Sequence, residues 1–363
     1  MRVRGWTAFH GRFYERYWIE VVIIRPRSSS NTRQQFKSYL ISIDFNSYCG
    51  SRHSTASCFM LSPPTILPVT NIEGLLNWLR SSRSSPLRDA SEPESADQLV
   101  ARNEEQCGNS MPPELRKLLL PLLLDVVASP YLIADSIGMW HMGEERFWMP
   151  RFIFQRTQRM KRRIKVGIFA GIHGDEPEAV LGLVDLVRGL NTRPEVGRDY
   201  QLFIYPMCNP TGLGDGTRCS RSGADLNRQF WRDSTEPEVR LLEAEIRHQQ
   251  FEGIISLHTD DTSEGVYGFA HYGTETDDLL HDALETAHHA LPRCRSTLID
   301  GFAAKNAIVR ECYAGVLSAP PEQQPRPWEI ILETPQRAPV HLQRRAFVLA
   351  VAMILARYRT QTS

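Results

Sequence analysis

The chain has 363 residues, with 42 basic and 42 acidic side chains and a formal net charge of zero. That length gives ample room for a buried core in one large domain or two smaller ones. The balance removes any compositional case for nucleic acid or an anionic membrane as main partner. No apolar run reaches the ~20 residues of a membrane helix. The seven cysteines show no CxxC spacing, which predicts reduced thiols and a cytoplasmic setting.

Residues 1–110 read as a Ser/Arg-rich, low-order extension or linker. Serine clusters at 28–30, 81–82 and 84–85, and only 72–79 shows helical periodicity. From 111 to 363 the pattern becomes regular. Residues 115–127 predict an apolar helix interrupted near Pro121, and 131–140 with 146–154 predict a hairpin around Met142-Gly143-Glu144. Strands are then expected at 164–170, 201–206, 253–257, 266–270 and 329–333. They alternate with helices at 178–190, 236–249, 276–290 and 341–358. The segment 294–327 looks largely irregular, as functional walls often are. The expected fold is a three-layer α/β/α hydrolase domain with a mixed, mostly parallel central sheet.

The chemistry gathers where these strands end, the usual place for ligands in open α/β sheets. His173 and Glu176 sit three apart in the turn after the first of them, and His258 follows the apolar run 253–257. Two histidines and a glutamate form a catalytic zinc set with one position open for water. Taken alone, His173 and Glu176 could equally be a turn histidine and a helix N-terminal carboxylate. Glu333 follows Ile330-Ile331-Leu332 at the same sheet edge, where it can take a proton from water and return it to a leaving nitrogen.

These pieces come in a specific order: His173-Gly174-Asp175-Glu176, then 205–212, Thr217-Arg218, Gly223 to Arg228, His258 and Ile331 to Pro335. The series resembles the zinc carboxypeptidase (peptidase M14) superfamily, which includes the succinylglutamate desuccinylases and aspartoacylases, over roughly 130–358. The resemblance implies one zinc ion per chain on His173, Glu176 and His258. It implies that Asp225 holds the second nitrogen of the first histidine ligand, and that Asn227 and Arg228 grip a substrate carboxylate. It also implies that Arg218 polarises the scissile carbonyl, with Arg221 as competitor, and that Tyr313 covers the substrate, with Tyr267 as rival. Asp260 and Asp261 after the third ligand depart from the peptidase pattern.

The expected partner is therefore a small-molecule or peptide substrate with a free carboxylate, cleaved at the adjacent amide as by a carboxypeptidase. The alternative is an N-acyl amino acid deacylase of the succinylglutamate desuccinylase/aspartoacylase type, favoured by the short interval from Glu176 to His258. A zinc-binding sensor without turnover belongs to another class and leaves Glu333 without a purpose. Serine hydrolase and thermolysin-like chemistries lack their Gly-x-Ser-x-Gly and His-Glu-x-x-His motifs. His281, Glu285, His288 and His289 read as one solvated helical face.

Overall fold

The computed structural model of the chain describes residues 2–7, 15–24, 39–45, 65–69, 113–156, 162–272 and 274–362. The chain divides into two compact units. In the first, β1 (Arg2–Thr7), β2 (Glu15–Ile24), β3 (Tyr39–Phe45) and β4 (Thr65–Val69) form an antiparallel sheet in sequence order. The helical stretch expected at 72–79 and the polar run 81–110 lie outside the described residues.

The second unit opens with helix α1 (Pro113–Ala128), followed by β5 (Leu132–Met142) and β6 (Glu145–Gln155). The expected interruption at Pro121 does not occur, and the helix runs through it. Proline removes one intrahelical hydrogen bond, but Leu115, Leu119, Leu122, Leu123 and Val126 are all buried on one stripe that anchors both halves. β5 and β6 form the predicted hairpin, turning at Gly143 with a positive φ of 60°.

Then come β7 (Ile164–Ala170), α2 (Pro177–Thr192), β8 (Tyr200–Tyr205), the short α3 (Pro210–Asp215) and a 3-10 turn at Leu226–Arg228. These are followed by α4 (Pro237–Gln249), β9 (Gly253–Asp260), β10 (Tyr267–His271) and α5 (Thr274–Ala287). Short strands β11 (Leu298–Ile299), β12 (Phe302–Lys305) and β13 (Ile308–Val309) precede β14 (Trp328–Pro335) and α6 (Val340–Thr362). The segment expected to be irregular thus adds three small strands to the sheet.

The ten strands are ordered β11-β12-β13-β10-β14-β9-β7-β8-β6-β5. Its centre is parallel: β7 pairs with β8 and with β9, and β9 pairs with β14. Helices cover both faces there, so these strands read as near-continuous apolar runs. On one face Val166, Ile168, Ile255 and Leu332 pack with α1, α2, α5 and α6. On the other, Phe169, Phe203, Tyr205 and Ile254 meet Val239, Leu242 and Ile246 of α4. A polar clasp ties α4 to the strands: Glu245 accepts from Arg151 at 2.6 Å and from the Tyr205 hydroxyl at 2.7 Å.

Helix α2 begins with Pro177 in its first turn and Glu178 beside the helix N-terminus, both favoured there. Its buried stripe includes Val180, Leu183, Val187 and Leu190. It packs against α6, and a side chain at Gly182 would meet the Phe347 ring at 2.7 Å. Phe347→Ala is therefore expected to cost about 3–5 kcal/mol in urea unfolding.

Candidate active site

Three peptide turns at the carboxyl ends of the parallel strands build the site. Gly171 leaves β7 with φ 66°, and a side chain there would press on Leu213 and Val180. Only glycine meets that conformation without strain. The chain then presents His173 and reaches Glu176 as it enters α2. Gly174 packs so closely on the backbone of Gly212 that a Cβ would fall onto its carbonyl. Asn209 ties the turn to the next loop. Its Oδ1 accepts from Gly212 N–H at 2.8 Å, and its Nδ2 donates to the carbonyls of Ile172 and Arg218 at 3.2 and 3.4 Å.

His258 comes from within β9, which runs past the expected end at 257 because β14 pairs alongside it to Asp260. Its Nδ1 lies 3.2 Å from His173 Nδ1 and 2.9 Å from Glu176 Oε2, while Glu176 Oε1 lies 2.6 Å from His173 Nδ1. All three residues are buried. Two ring nitrogens and a carboxylate turned on one another suit a shared cation. The opposite ring nitrogens are also held, His173 Nε2 by Asp225 at 3.3 Å and His258 Nε2 by Ser256 at 3.0 Å. That is the support metal-bound imidazoles commonly receive. The donor set fits a metal ion.

Residues 163–300 match the succinylglutamate desuccinylase/aspartoacylase catalytic domain family. That stretch is similar to the catalytic domain of the succinylglutamate desuccinylases and aspartoacylases. The fold of the chain is that of the metallo-carboxypeptidases. The chain is 19% identical to a metallo-carboxypeptidase from Burkholderia cenocepacia, with a TM-score of 0.52 over 68% of each chain. An assigned metallopeptidase from Shewanella denitrificans aligns at 20% identity and a TM-score of 0.58, over 67% of this chain and 90% of that one. One from Shewanella amazonensis aligns at 18% and 0.58, over 67% and 93%. Among curated proteins, nothing matches. The family is one of metallohydrolases, and the His173–Glu176–His258 site agrees with that chemistry.

A cavity of about 360 Å³ opens onto His173 and Glu176 and is lined by Arg218, Asn227, Arg228, Tyr313 and Glu333. Arg218 lies 3.7 Å from Glu176 and 3.3 Å from Asp225. Arg221 lies elsewhere, pairing with Asp215 at 2.6 Å and with Glu145. Arg218 lines the cavity and Arg221 does not. Asn227 Oδ1 accepts from Leu317 N–H at 2.9 Å, leaving its amide nitrogen for the cavity. The Arg228 guanidinium stacks 4.0 Å from the Tyr313 ring, and the Tyr313 hydroxyl donates to the Asp300 carbonyl at 3.1 Å. Tyr267 stands beside Glu333 on the neighbouring strand and donates to Asp260 at 2.9 Å. Both tyrosines line the cavity.

The electrostatics follow from burial and charge. For Glu176 burial works upward, but the two histidines prevail and hold its carboxyl down at about 2. His258 is kept below the usual histidine range by burial. Asp225 is lowered against the pull of burial by His173, Arg218 and Arg228. Glu333 is pushed well above the carboxylate range, first by burial and then by the charges of Glu176, Asp260 and Asp300. No side chain among the described residues donates to it.

Sequence reasoning passed over Asn209, Ser256, Asp300 and Cys312. Asn209 had a local signal, since Asn-Pro after a strand marks a helix start, and it caps α3. Ser256 had one too, since it stands two residues before His258 on the same strand face, whereas Asp300 and Cys312 had none. The expected solvated face holds: among the described residues the only group able to hold a metal is His173, Glu176 and His258. Cys208 and Cys219 are free thiols rather than a disulfide.

His173→Ala and His258→Ala should each abolish stoichiometric metal in the purified protein, measured by elemental analysis. Gly174→Ala should do the same through the turn alone, because its Cβ has no space against Gly212.

Proposed function

We propose that this domain is a zinc hydrolase with one zinc ion per chain, cleaving an amide bond next to a carboxylate as a carboxypeptidase does. The observation that carries this reading is the convergence on one cavity of a metal donor set, an unpartnered carboxyl and two arginines. Zinc suits the imidazole and carboxylate donors, and when bound it polarises a carbonyl and acidifies a water toward pH ~7.

The chain's own residues supply the rest. Arg228 and the free amide nitrogen of Asn227 bind the substrate carboxylate. The planar guanidinium is preorganised by its stacking on Tyr313, which suits bidentate recognition. Arg218 stands beside Glu176, where it meets the negative charge that grows on the carbonyl oxygen. Glu333 takes the proton from the attacking water and returns it to the leaving nitrogen. Its raised affinity for protons suits the donating half of that exchange. Tyr313, on the loop before β14, covers the bound substrate.

A second reading has its own support. The match of 163–300 to the desuccinylase/aspartoacylase family favours release of an acyl group from an amino acid. Parallel panels of N-acyl amino acids and C-terminal peptides separate the two by kcat/KM. Cleavage of neither by zinc-loaded protein would leave only the sensor reading.

Glu333→Gln should retain zinc and lower kcat by roughly 10²–10⁴-fold, the usual worth of a general base. The arginines should divide differently. Arg218→Ala should lower kcat by about 10²–10³-fold, since its partner charge exists only in the transition state. Arg228→Ala should chiefly raise KM, because it holds a carboxylate present throughout. Identical patterns in the two variants would refute that division.

A further inference from the structure

Asn227 and Arg228 sit on a turn that is clasped from one side by residues 313–318, on the loop before β14. Asn227 and Leu317 are 90 residues apart in the chain, yet Asn227 Oδ1 accepts from Leu317 N–H at 2.9 Å. Next along the turn, Phe230 N–H donates to the Gly315 carbonyl at 3.0 Å, and Trp231 Nε1–H donates to the Ser318 carbonyl at 3.1 Å. The Tyr313 ring completes the clasp, with its centre 4.0 Å from the Arg228 guanidinium.

In the middle of this clasp the two backbones touch. Gly315 has a φ of 80°, and a Cβ there would fall onto the Arg228 carbonyl and meet the Arg232 side chain at 3.0 Å. Any larger residue would hold the loop away from the turn. Gly315 itself lies outside the lining of the catalytic cavity. The far end of the loop is pinned separately, since Ala319 N–H donates to Glu329 Oε1 at 2.8 Å, and this isolates Gly315 from Glu333. The arginine under the clasp has an unspent charge. Arg218 is paired with Asp225 and Glu176, whereas Arg228 forms no ion pair among the described residues and donates to the Asn227 carbonyl at 2.8 Å.

We propose that residues 313–318 orient Arg228 toward the substrate carboxylate, and that Gly315 is the positioning residue of this arrangement. Its absent side chain lets the loop close on the Arg228 peptide, which brings Tyr313 against the guanidinium. A flexible arginine gives up rotamer freedom when it binds, and holding it in place beforehand recovers affinity. A side chain at position 315 removes that hold while leaving the metal donors and Glu333 on their own supports. Carboxylate affinity is then lost and the metal is kept.

The inference rests on the proposed carboxylate-binding role of Arg228, and a double-variant cycle judges the two separately. Titration calorimetry on the zinc-loaded full chain measures L-leucine, which has the carboxylate, and L-leucinamide, which lacks it. Gly315→Ala should weaken leucine about tenfold or more, leave leucinamide within about twofold and retain the metal by elemental analysis. In an Arg228→Ala background the same change should cost leucine less than about twofold, because a residue acting through Arg228 then has nothing to act on. Equal losses in both backgrounds, or equal losses for acid and amide, overturn the proposal. So does a leucine affinity that falls with Arg228→Ala but not with Gly315→Ala. If Arg228→Ala changes nothing, or leucine does not bind the wild type, the carboxylate role fails and the proposal falls with it. Where Gly315→Ala does not fold, Trp231→Phe decides, since it removes the bond to the Ser318 carbonyl alone. That variant should weaken leucine about threefold to tenfold and spare leucinamide. No loss for leucine overturns the proposal.

Discussion

The parallel register of β7, β9 and β14 is the constraint on which the rest depends. It sets Glu333 beside His258 and brings the end of β7, with the His173–Glu176 turn, to the same edge. A slip of one residue would turn His258 or Glu333 to the opposite face and exchange it for an apolar neighbour. The register is secured by burial on both faces. Ile254 and Ile255 pack into separate cores on opposite sides of the sheet, so no alternative pairing keeps both filled. The precision of the donor set is thus a product of hydrophobic packing.

The same packing removes water from charged groups, and the site's chemistry answers that cost. Glu176 is buried but surrounded by two imidazoles and the Thr259 N–H, which donates to its Oε2 at 3.1 Å. It stays ionised because its partners repay desolvation. Glu333 is enclosed without partners and among other carboxylates, so the same burial drives it toward the protonated form. Two glutamates in one cavity acquire opposite affinities for a proton from their neighbours alone.

The loops carry a corresponding division. Asn209 binds the metal turn to the Arg218 loop, and Asn227 binds the Arg228 turn to Leu317 on the loop before β14. Each asparagine fixes the backbone that presents an arginine. Arg218 therefore shares its support with the donor set, whereas Arg228 is held through the Leu317 loop.

Much of this was legible in the residues themselves. The strands β7 and β14 and helices α2 and α4 emerge from apolar runs and periodicity, because local burial demands those patterns. His173, Glu176 and His258 emerge because turns after apolar strands are where such residues converge. Spacing favoured Arg218 without excluding Arg221; the reason Arg221 stands apart was hidden, since it is drawn away by Asp215 and by Glu145 from a distant hairpin. The continuity of α1 through Pro121 was also hidden, because it depends on a core assembled from elsewhere. Asp300 became visible only with the fold. It matters through the Tyr313 hydroxyl, brought near by loop packing, and no local pattern encodes that proximity.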